Sequence, residues 1–342
     1  VIRDGEVFAF DAVGYRDLES ESPMQKNTIF RIASMTKPFV AAAILMLEEE
    51  GKLELDDPVE KYLPEFKNMW LKVEDEGQNE GMLLRKAPRP ITIRDILTHT
   101  HGMARIPSHV RVESIRENAL VASQLALDFE PGSMWRYGGE GINTAARIVE
   151  VISGLAYSDF LKEKIFDPLE MKDSYFEFPE AEADRVASVY IPGEDGGLTP
   201  LLFSHKRPYF NPAGGLLSTA SDLGIWMQTI LDGGIYGNTR ILSEESVMEM
   251  TRTQTGDLKC GFTEGMSFGL AFAVVKNPQG VTGMLNPGTF GHGGAFGTQY
   301  WADPVNRTIY ILMIQRQRFG NGDDSDIRKT FQDLAADAEP GL

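Results

Sequence analysis

Apolar positions along the chain change rhythm three times. Between residues 1 and 16, Phe8 and Phe10 alternate with small or polar neighbours, which predicts two short strands ahead of a polar stretch, Asp17–Lys26. Phe30-Arg31-Ile32-Ala33 then leads into Phe39, Val40, Ile44, Leu45 and Leu47, a helical spacing that starts at or near Ser34 and stops at Gly51. Pro38 is compatible with that helix, because in the first turn its missing N–H has no intrahelical partner anyway. From Asp56 to about Lys206 the pattern is mainly helical, broken by Pro and Gly. Asn68–Pro90 reads as a long polar excursion, Ile93–Thr98 as helix, and Gly141–Ser153 as an amphipathic helix with Ile142, Ala145, Ile148, Val149 and Ile152 on a face. Ile191–Leu198 reads as a Gly-rich loop, and Ser218 or Ser221 as the cap of a helix reaching about Leu231. The end of the chain returns to strands at Ser267–Val275, Gln299–Ala302 and Thr308–Gln315, then a closing helix at Asp326–Ala335.

Strands at both ends with helices between them predict an α/β fold of the α+β type. An antiparallel sheet is built from both chain termini and flanked by helices, with a mostly helical sub-domain inserted. The expected division is a single domain over residues 1–342, with residues 1–58 plus 207–342 forming the α/β part and 59–206 the helical part. The longest apolar stretch, Pro38–Leu47, is too short to span a bilayer and runs into Glu48-Glu49-Glu50. With 33 Lys and Arg against 50 Asp and Glu, the formal charge is −17. That field repels phosphate backbones and anionic head groups, which excludes nucleic acid as an expected partner and favours small neutral or cationic substrates. The one cysteine, Cys260, permits no intrachain disulfide, a pattern that suits a reducing cytoplasm and equally an exported enzyme without disulfides. The chain opens on Val1, so an upstream signal peptide and a periplasmic or secreted location stay open beside a cytoplasmic one.

Ser34-Met35-Thr36-Lys37 holds the informative chemistry. A serine hydroxyl attacks poorly until a base takes its proton. At a helix start, residues three apart share a face, so Lys37 stands beside Ser34. Burial among Phe30, Ile32, Ala33, Phe39 and Val40, helped by the positive helix N-terminus, lowers a lysine pKa far enough for it to act as that base. A capping serine followed by a surface lysine is the plainer reading. Against it, no other lysine of the chain has a serine three positions earlier, and the apolar setting is unusual for an exposed lysine.

The stretch TIFRIASMTKPFVAAAILMLEEEGKLELDDPVEKYLP, residues 28–64, resembles the core motif region of the serine β-lactamase-like superfamily. This group includes class C β-lactamases, D-alanyl-D-alanine carboxypeptidases and the family VIII carboxylesterases. RPITIRDILTHTHGM (89–103), PGSMWRYGGEGINTAARIVEVISG (131–154), NPAGGLLSTASDLGIWMQTILDGG (211–234) and FGHGGAFGTQYWADPVNRTIYILMIQ (290–315) follow in family order. The resemblance implies a β-lactamase/transpeptidase-like fold and an acyl-enzyme on Ser34, closest to the family VIII esterases. It places the tyrosine of the Tyr-x-Asn motif at Tyr137, where a phenolate would move protons between serine and leaving group. Gly139 stands where the family has its asparagine, a side-chain amide that would contact an acyl-amide or β-lactam. Literal Tyr-x-Asn strings at Tyr209-Phe210-Asn211 and Tyr236-Gly237-Asn238 lack the loop-then-helix setting of Tyr137. The Lys-Thr-Gly motif corresponds to His292-Gly293-Gly294, whose glycines let a strand approach substrate closely. The backbone N–H groups of Ser34 and Ala295 are the implied oxyanion hole. Losing the motif lysine weakens the case for substrates bearing a free carboxylate.

The expected activity is therefore hydrolysis of a carboxylic ester with a small acyl group. Amide-cleaving siblings (β-lactamase, D-alanyl carboxypeptidase, D-aminopeptidase), an acyltransferase and a catalytically silent binding or sensor domain are the alternatives. Gly265-Met266-Ser267-Phe268-Gly269 matches the G-x-S-x-G elbow of α/β-hydrolases, but Ser267 begins a predicted strand, and no acid lies between it and His292. His99-Thr100-His101 offers no set of metal-ligand spacings and reads as structural, as does the Asp56-Asp57-Pro58 turn. Cys260 lacks a histidine partner. No phosphate-binding or dinucleotide loop appears, so neither cofactor nor metal is expected. Oligomeric state is not legible.

Overall fold

The computed structural model describes residues 1–74, 82–194, 196–203, 210–318 and 322–338. A seven-stranded antiparallel sheet forms from β1 (Ile2–Arg3), β2 (Glu6–Val7) and five strands near the C-terminus. A small pair, β3 (Phe30–Arg31) with β4 (Leu217–Ser218), stands apart from it. The C-terminal strands are β5 (Met266–Phe268), β6 (Ala273–Val275), β7 (Phe290–Gly293), β8 (Gln299–Asp303) and β9 (Thr308–Leu312). The sheet order is β5-β6-β7-β8-β9-β1-β2, so the first residues of the chain pair with nearly the last, Ile2 opposite Ile309. This is the sheet from both termini that the strand pattern predicts.

Four helices matter for the site: α1 (Lys37–Glu49), α2 (Glu140–Ser153), α3 (Ala220–Leu231) and α4 (Asp326–Asp337). Successive residues of a strand face opposite ways, and β8 uses both faces. Tyr300 points to the α1 side, where its hydroxyl donates to the Met35 carbonyl at 2.7 Å. Trp301 points away, beneath the Arg328 guanidinium of α4 at 4.0 Å. α1 is buried on nearly every side from Lys37 to Leu47, which explains why every residue from Pro38 to Leu47 is apolar. Phe39 stacks on Trp226 of α3 at 4.2 Å and meets Phe166 edge-on at 5.7 Å. α1 also packs along α2, whose apolar stripe Ile142, Ala145, Ile148 and Val149 is wholly buried. Gly154 ends α2 at φ +74°, a left-handed cap that a side chain would strain.

Several elements differ from the sequence expectation. Phe8 and Phe10 lie outside the first hairpin, under the cationic groups of Arg3 at 4.3 Å and Lys26 at 5.2 Å. The hairpin itself turns earlier, at Asp4-Gly5, where φ is +48° and +82°. The excursion at Asn68–Pro90 contains a hairpin, Trp70–Glu74 with Met82–Lys86. Leu71 and Val73 of its first strand face the core, while Leu83 and Leu84 of the second are exposed, so the second strand shows no alternation. Ile191–Leu198 includes the turn of a second hairpin, Val189–Pro192 with Leu198–Leu201. Thr219, not Ser218 or Ser221, caps α3 by accepting from the Asp222 N–H. The strand expected over Ser267–Val275 is two, broken at Ala271 (φ +58°). Among the described residues no helix is long and apolar enough to cross a membrane.

Candidate active site

Ser34 is placed by a sharp turn. β3 ends at Arg31, Ala33 takes the left-handed φ of +47°, and Ala33–Thr36 forms a single 3-10 turn that feeds α1. A non-glycine residue there costs roughly 1–3 kcal/mol, so surrounding bonds must hold it. Thr36 supplies one, donating from Oγ1 to the Ala33 carbonyl at 2.6 Å and accepting from the Leu216 N–H at 3.2 Å. Gly294 supplies room on the other side. A Cβ on it would stand 2.1 Å from Thr298 Oγ1 and 2.5 Å from the Ile32 carbonyl oxygen, so β7 can close on this turn only with glycine there.

Lys37, 3% exposed, donates to Ser34 Oγ at 3.1 Å and to the Ala213 carbonyl at 2.7 Å. No carboxylate pairs with it among the described residues. Burial lowers its pKa to about 7, against a small opposing pull from the Glu140 carboxylate. Its ammonium lies 4.6 Å from the centre of the Tyr137 ring. Side chains from two distant parts of the chain therefore meet at Ser34, Lys37 and Tyr137.

Tyr137 sits in an irregular segment that is fixed by its neighbour. Arg136 donates its backbone N–H to the His99 carbonyl at 2.9 Å and its side chain to Asp128 at 2.5 Å and the Met103 carbonyl at 2.6 Å. The Tyr137 ring is walled by His99 at 4.7 Å, Phe262 at 4.8 Å and His292 at 5.8 Å. Burial pushes the phenol pKa well up, only partly countered by the Ser34 hydroxyl beside it. Burial therefore favours the free amine of Lys37 and works against a Tyr137 phenolate.

His292 lies on β7 with Nδ1 2.7 Å from the Gly293 carbonyl and Nε2 3.4 Å from the Tyr137 hydroxyl. Because a carbonyl only accepts, Nδ1 carries the proton and Nε2 presents a lone pair to the phenol. Burial, then the Lys37 charge, lower the imidazole pKa to about 3, so it stays neutral. Gly293 and Gly294 follow it, and Ala295 is exposed at the start of the next turn, its neighbour Gly294 bonded to Thr298. The Ala295 N–H takes part in no backbone hydrogen bond among the described residues.

The other signals fall elsewhere. Ser267 is buried inside β5, 3.0 Å from Thr255 Oγ1. Gly237-Asn238 is the tip of a two-residue hairpin. Tyr209 lies outside the described residues, while Asn211 accepts from the Ala213 N–H at 3.1 Å. Cys260 is buried with its thiol pKa raised by that burial. His99 and His101 are wholly buried and neutral, and no group of metal-ligating side chains exists among the described residues. Sequence reasoning missed three contributors: the Ala213 carbonyl, which no side chain announces, Asn143, hidden in an amphipathic pattern, and Asp323. The last is half-buried against β7, its carboxylate taking a hydrogen bond from Gln299 at 3.1 Å where a side chain on Gly293 would otherwise project.

Fold and cluster together define a serine hydrolase of the β-lactamase and penicillin-binding-protein architecture. The chain belongs to the Beta-lactamase family, whose family model matches residues 1–335. It is 34% identical over 330 residues to Protein Rv1367c of Mycobacterium tuberculosis, covering 89% of this chain and 81% of that protein. Esterase EstB of Burkholderia gladioli is 28% identical over 350 residues, covering 92% of this chain and 84% of EstB. Among solved structures, EstCE1, described as a hydrolase with promiscuous acyltransferase activity, superposes with a TM-score of 0.78 at 22% identity, covering 98% of this chain and 91% of its own.

Proposed function

We propose that the protein is a carboxylesterase acting through an acyl-enzyme on Ser34. One observation carries the reading: a lysine amine sealed from solvent, without a carboxylate partner, 3.1 Å from a serine hydroxyl. A buried ammonium without a counter-ion is costly, and at neutral pH its loss of a proton supplies the base. The neutral Lys37 amine takes the Ser34 proton, and Oγ attacks the ester carbonyl. The oxyanion forms against the Ser34 and Ala295 N–H groups. On collapse, Tyr137 gives its proton to the departing alcohol and is refilled from the Lys37 ammonium. Water then attacks the acyl group while the same amine takes its proton through Tyr137, and Ser34 leaves as the hydroxyl. His292 accepts from the phenol and holds it in the path.

Esters are favoured over β-lactams and peptides because a neutral imidazole stands where a carboxylate-binding lysine would be, and the chain's charge of −17 disfavours anions further. The similarity to EstB supports the same preference. Short p-nitrophenyl esters, nitrocefin and D-amino amides, each run with the wild type and Ser34→Ala, test the reading. Expected is ester turnover that vanishes in Ser34→Ala. Faster turnover of nitrocefin or the amides than of the esters overturns it.

A further inference from the structure

The wall that carries His292 has a carboxylate set into it. Gly293 follows His292 on β7, and a Cβ there would collide with Asp323 Oδ1 and stand 2.6 Å from Gln299 Nε2. Position 293 is glycine because an acid from the segment before α4 fills the space a side chain would need. Asp323 is half-buried, accepts from Gln299 Nε2 at 3.1 Å, and lines one recess with His292, Gly293, Phe262 and Trp301. An acid just ahead of a helix often serves as its cap. Here Ser325 has that place, its Oγ accepting from the Arg328 N–H at 3.3 Å. Arg328 also lines the recess, but its guanidinium is tied back. It donates through Nη1 to the Asp323 main-chain carbonyl at 2.5 Å and through Nε to Gln332 at 3.2 Å, and lies over Trp301. The difference between the two charges is felt at Tyr137. Burial is the main cause that raises its phenol, and the charge of Asp323, not that of Arg328, adds to it. The negative end of the pair is thus the one turned toward the phenol that, in the proposed reaction, protonates the leaving alcohol.

We propose that Asp323 is a specificity-determining residue that sets the charge preference on the alcohol side of the cleft. Its carboxylate turns away esters whose alcohol carries a negative charge and favours those whose alcohol carries a cation. The inference rests on the ester reading and adds a preference among esters to it. The neighbouring positions on that wall cannot supply this preference, because His292 is neutral and Gly293 has no side chain. Across about 6–10 Å, with the screening of a half-buried site, one such charge changes a rate about 5–30-fold.

Three aryl acetates provide the test, with 3-hydroxybenzoate, 3-hydroxybenzamide and 3-(trimethylammonio)phenol as leaving alcohols. Burial raises the Asp323 pKa while the Arg328 charge and the Gln299 bond lower it, so the assay is run at pH 8.5 to favour the carboxylate. The readout is kcat/KM of the anionic and of the cationic ester, each relative to the neutral amide-bearing one. Comparing these ratios between wild type and variant cancels intrinsic reactivity. Asp323→Asn keeps an oxygen for Gln299 and removes the charge. It is expected to raise the anionic ratio about 5–30-fold and to lower the cationic ratio. A merely structural carboxylate would, when replaced, slow all three esters alike. Asp323→Ser, a smaller change of the same sign, should give the same two directions if Asp323→Asn proves unstable. Unchanged ratios, or ratios that move together, overturn the proposal. Wild-type turnover of the neutral acetate tests the ester reading by itself. Were it absent, that reading would fall, and the charge preference would be read from the rates at which phosphonate esters of the same three phenols label Ser34, by intact mass.

Discussion

The pH dependence of Ser34 acylation follows directly from the burial of Lys37. A lysine in water has a pKa of 10.5, and at pH 7 only about 0.03% of it is free amine. With the folded value at about 7, the free amine is about 10% at pH 6, half at pH 7 and about 90% at pH 8. Acylation should therefore rise with pH along a single limb centred near 7 and flatten by pH 9. No other group of the cluster titrates in that window: His292 is held down to about 3, His99 is lowered by burial, and the Tyr137 phenol is pushed up. The measurement is kcat/KM for a p-nitrophenyl ester from pH 5 to 9.5, corrected for spontaneous hydrolysis. Lys37→Arg, which cannot deprotonate, should lose about 10²–10⁴-fold across the whole range, with no limb near 7. A limb centred above 9, or a Lys37→Arg enzyme retaining a tenth of wild-type activity at pH 8, would refute the assignment of Lys37 as base.

Ser34→Ala should abolish both turnover and labelling by a fluorophosphonate, while Ser267→Ala, altering a hydroxyl buried in β5, should leave labelling intact; intact-mass spectra after probe treatment decide. Lys37→Met should raise the melting temperature at pH 6 and do so less at pH 10. Between pH 7 and 10.5 the unfolded wild type holds a proton that the folded chain lacks, so wild-type stability rises with pH over that window. The buried ammonium costs at most about 5 kcal/mol below it, offset in part by the bond to Ala213. A melting temperature that falls equally at both pH values would contradict this account. Gly294→Ala should cost about 1–3 kcal/mol by forcing β7 off the Ile32 carbonyl, and should slow acylation by disturbing the Ser34 turn; denaturant melts and burst kinetics read the two effects separately.

The meeting of Ser34 with a buried Lys37 was legible in the sequence because their relation is local. Ser34 and Lys37 are three residues apart, and the apolar positions around them announced the burial that sets the amine pKa. Tyr137, more than a hundred residues away, came only through resemblance, since nothing in a single tyrosine signals which cleft it enters. The sheet was readable from strands at both ends, because Thr308–Leu312 and Gln299–Asp303 are buried on both faces and rich in β-branched and aromatic residues. The Trp70–Lys86 hairpin was not, as only Leu71 and Val73 face the core and the exposed Leu83 and Leu84 break the alternation in its second strand. Least legible were backbone groups: the Ala213 carbonyl and the left-handed Ala33 have no side-chain signature. Asn143 was hidden for a related reason. A polar residue on the buried stripe of an amphipathic helix reads as a blemish in the pattern until its partner is known.

Those hidden features bear on how the cluster tolerates its own chemistry. Lys37, His292 and His99 are buried and Tyr137 is half-buried, and no described carboxylate pairs with any of them. Such a set can be buried together only if each is neutral, and each shift has that sign: amine and imidazoles down, phenol up. In the proposed reaction the reactive, free-amine form of the pocket then holds no net charge, and the first charges to appear are the oxyanion and the ammonium made by the same proton transfer. They arise close together in a medium that screens poorly, so each stabilises the other more than it would in water. Any permanent carboxylate beside Lys37 would remove this advantage, since it would hold the proton on the amine before substrate arrives. The Ala213 carbonyl avoids that: it orients Nζ at 2.7 Å with a dipole in place of a charge, and leaves the amine free to be the base.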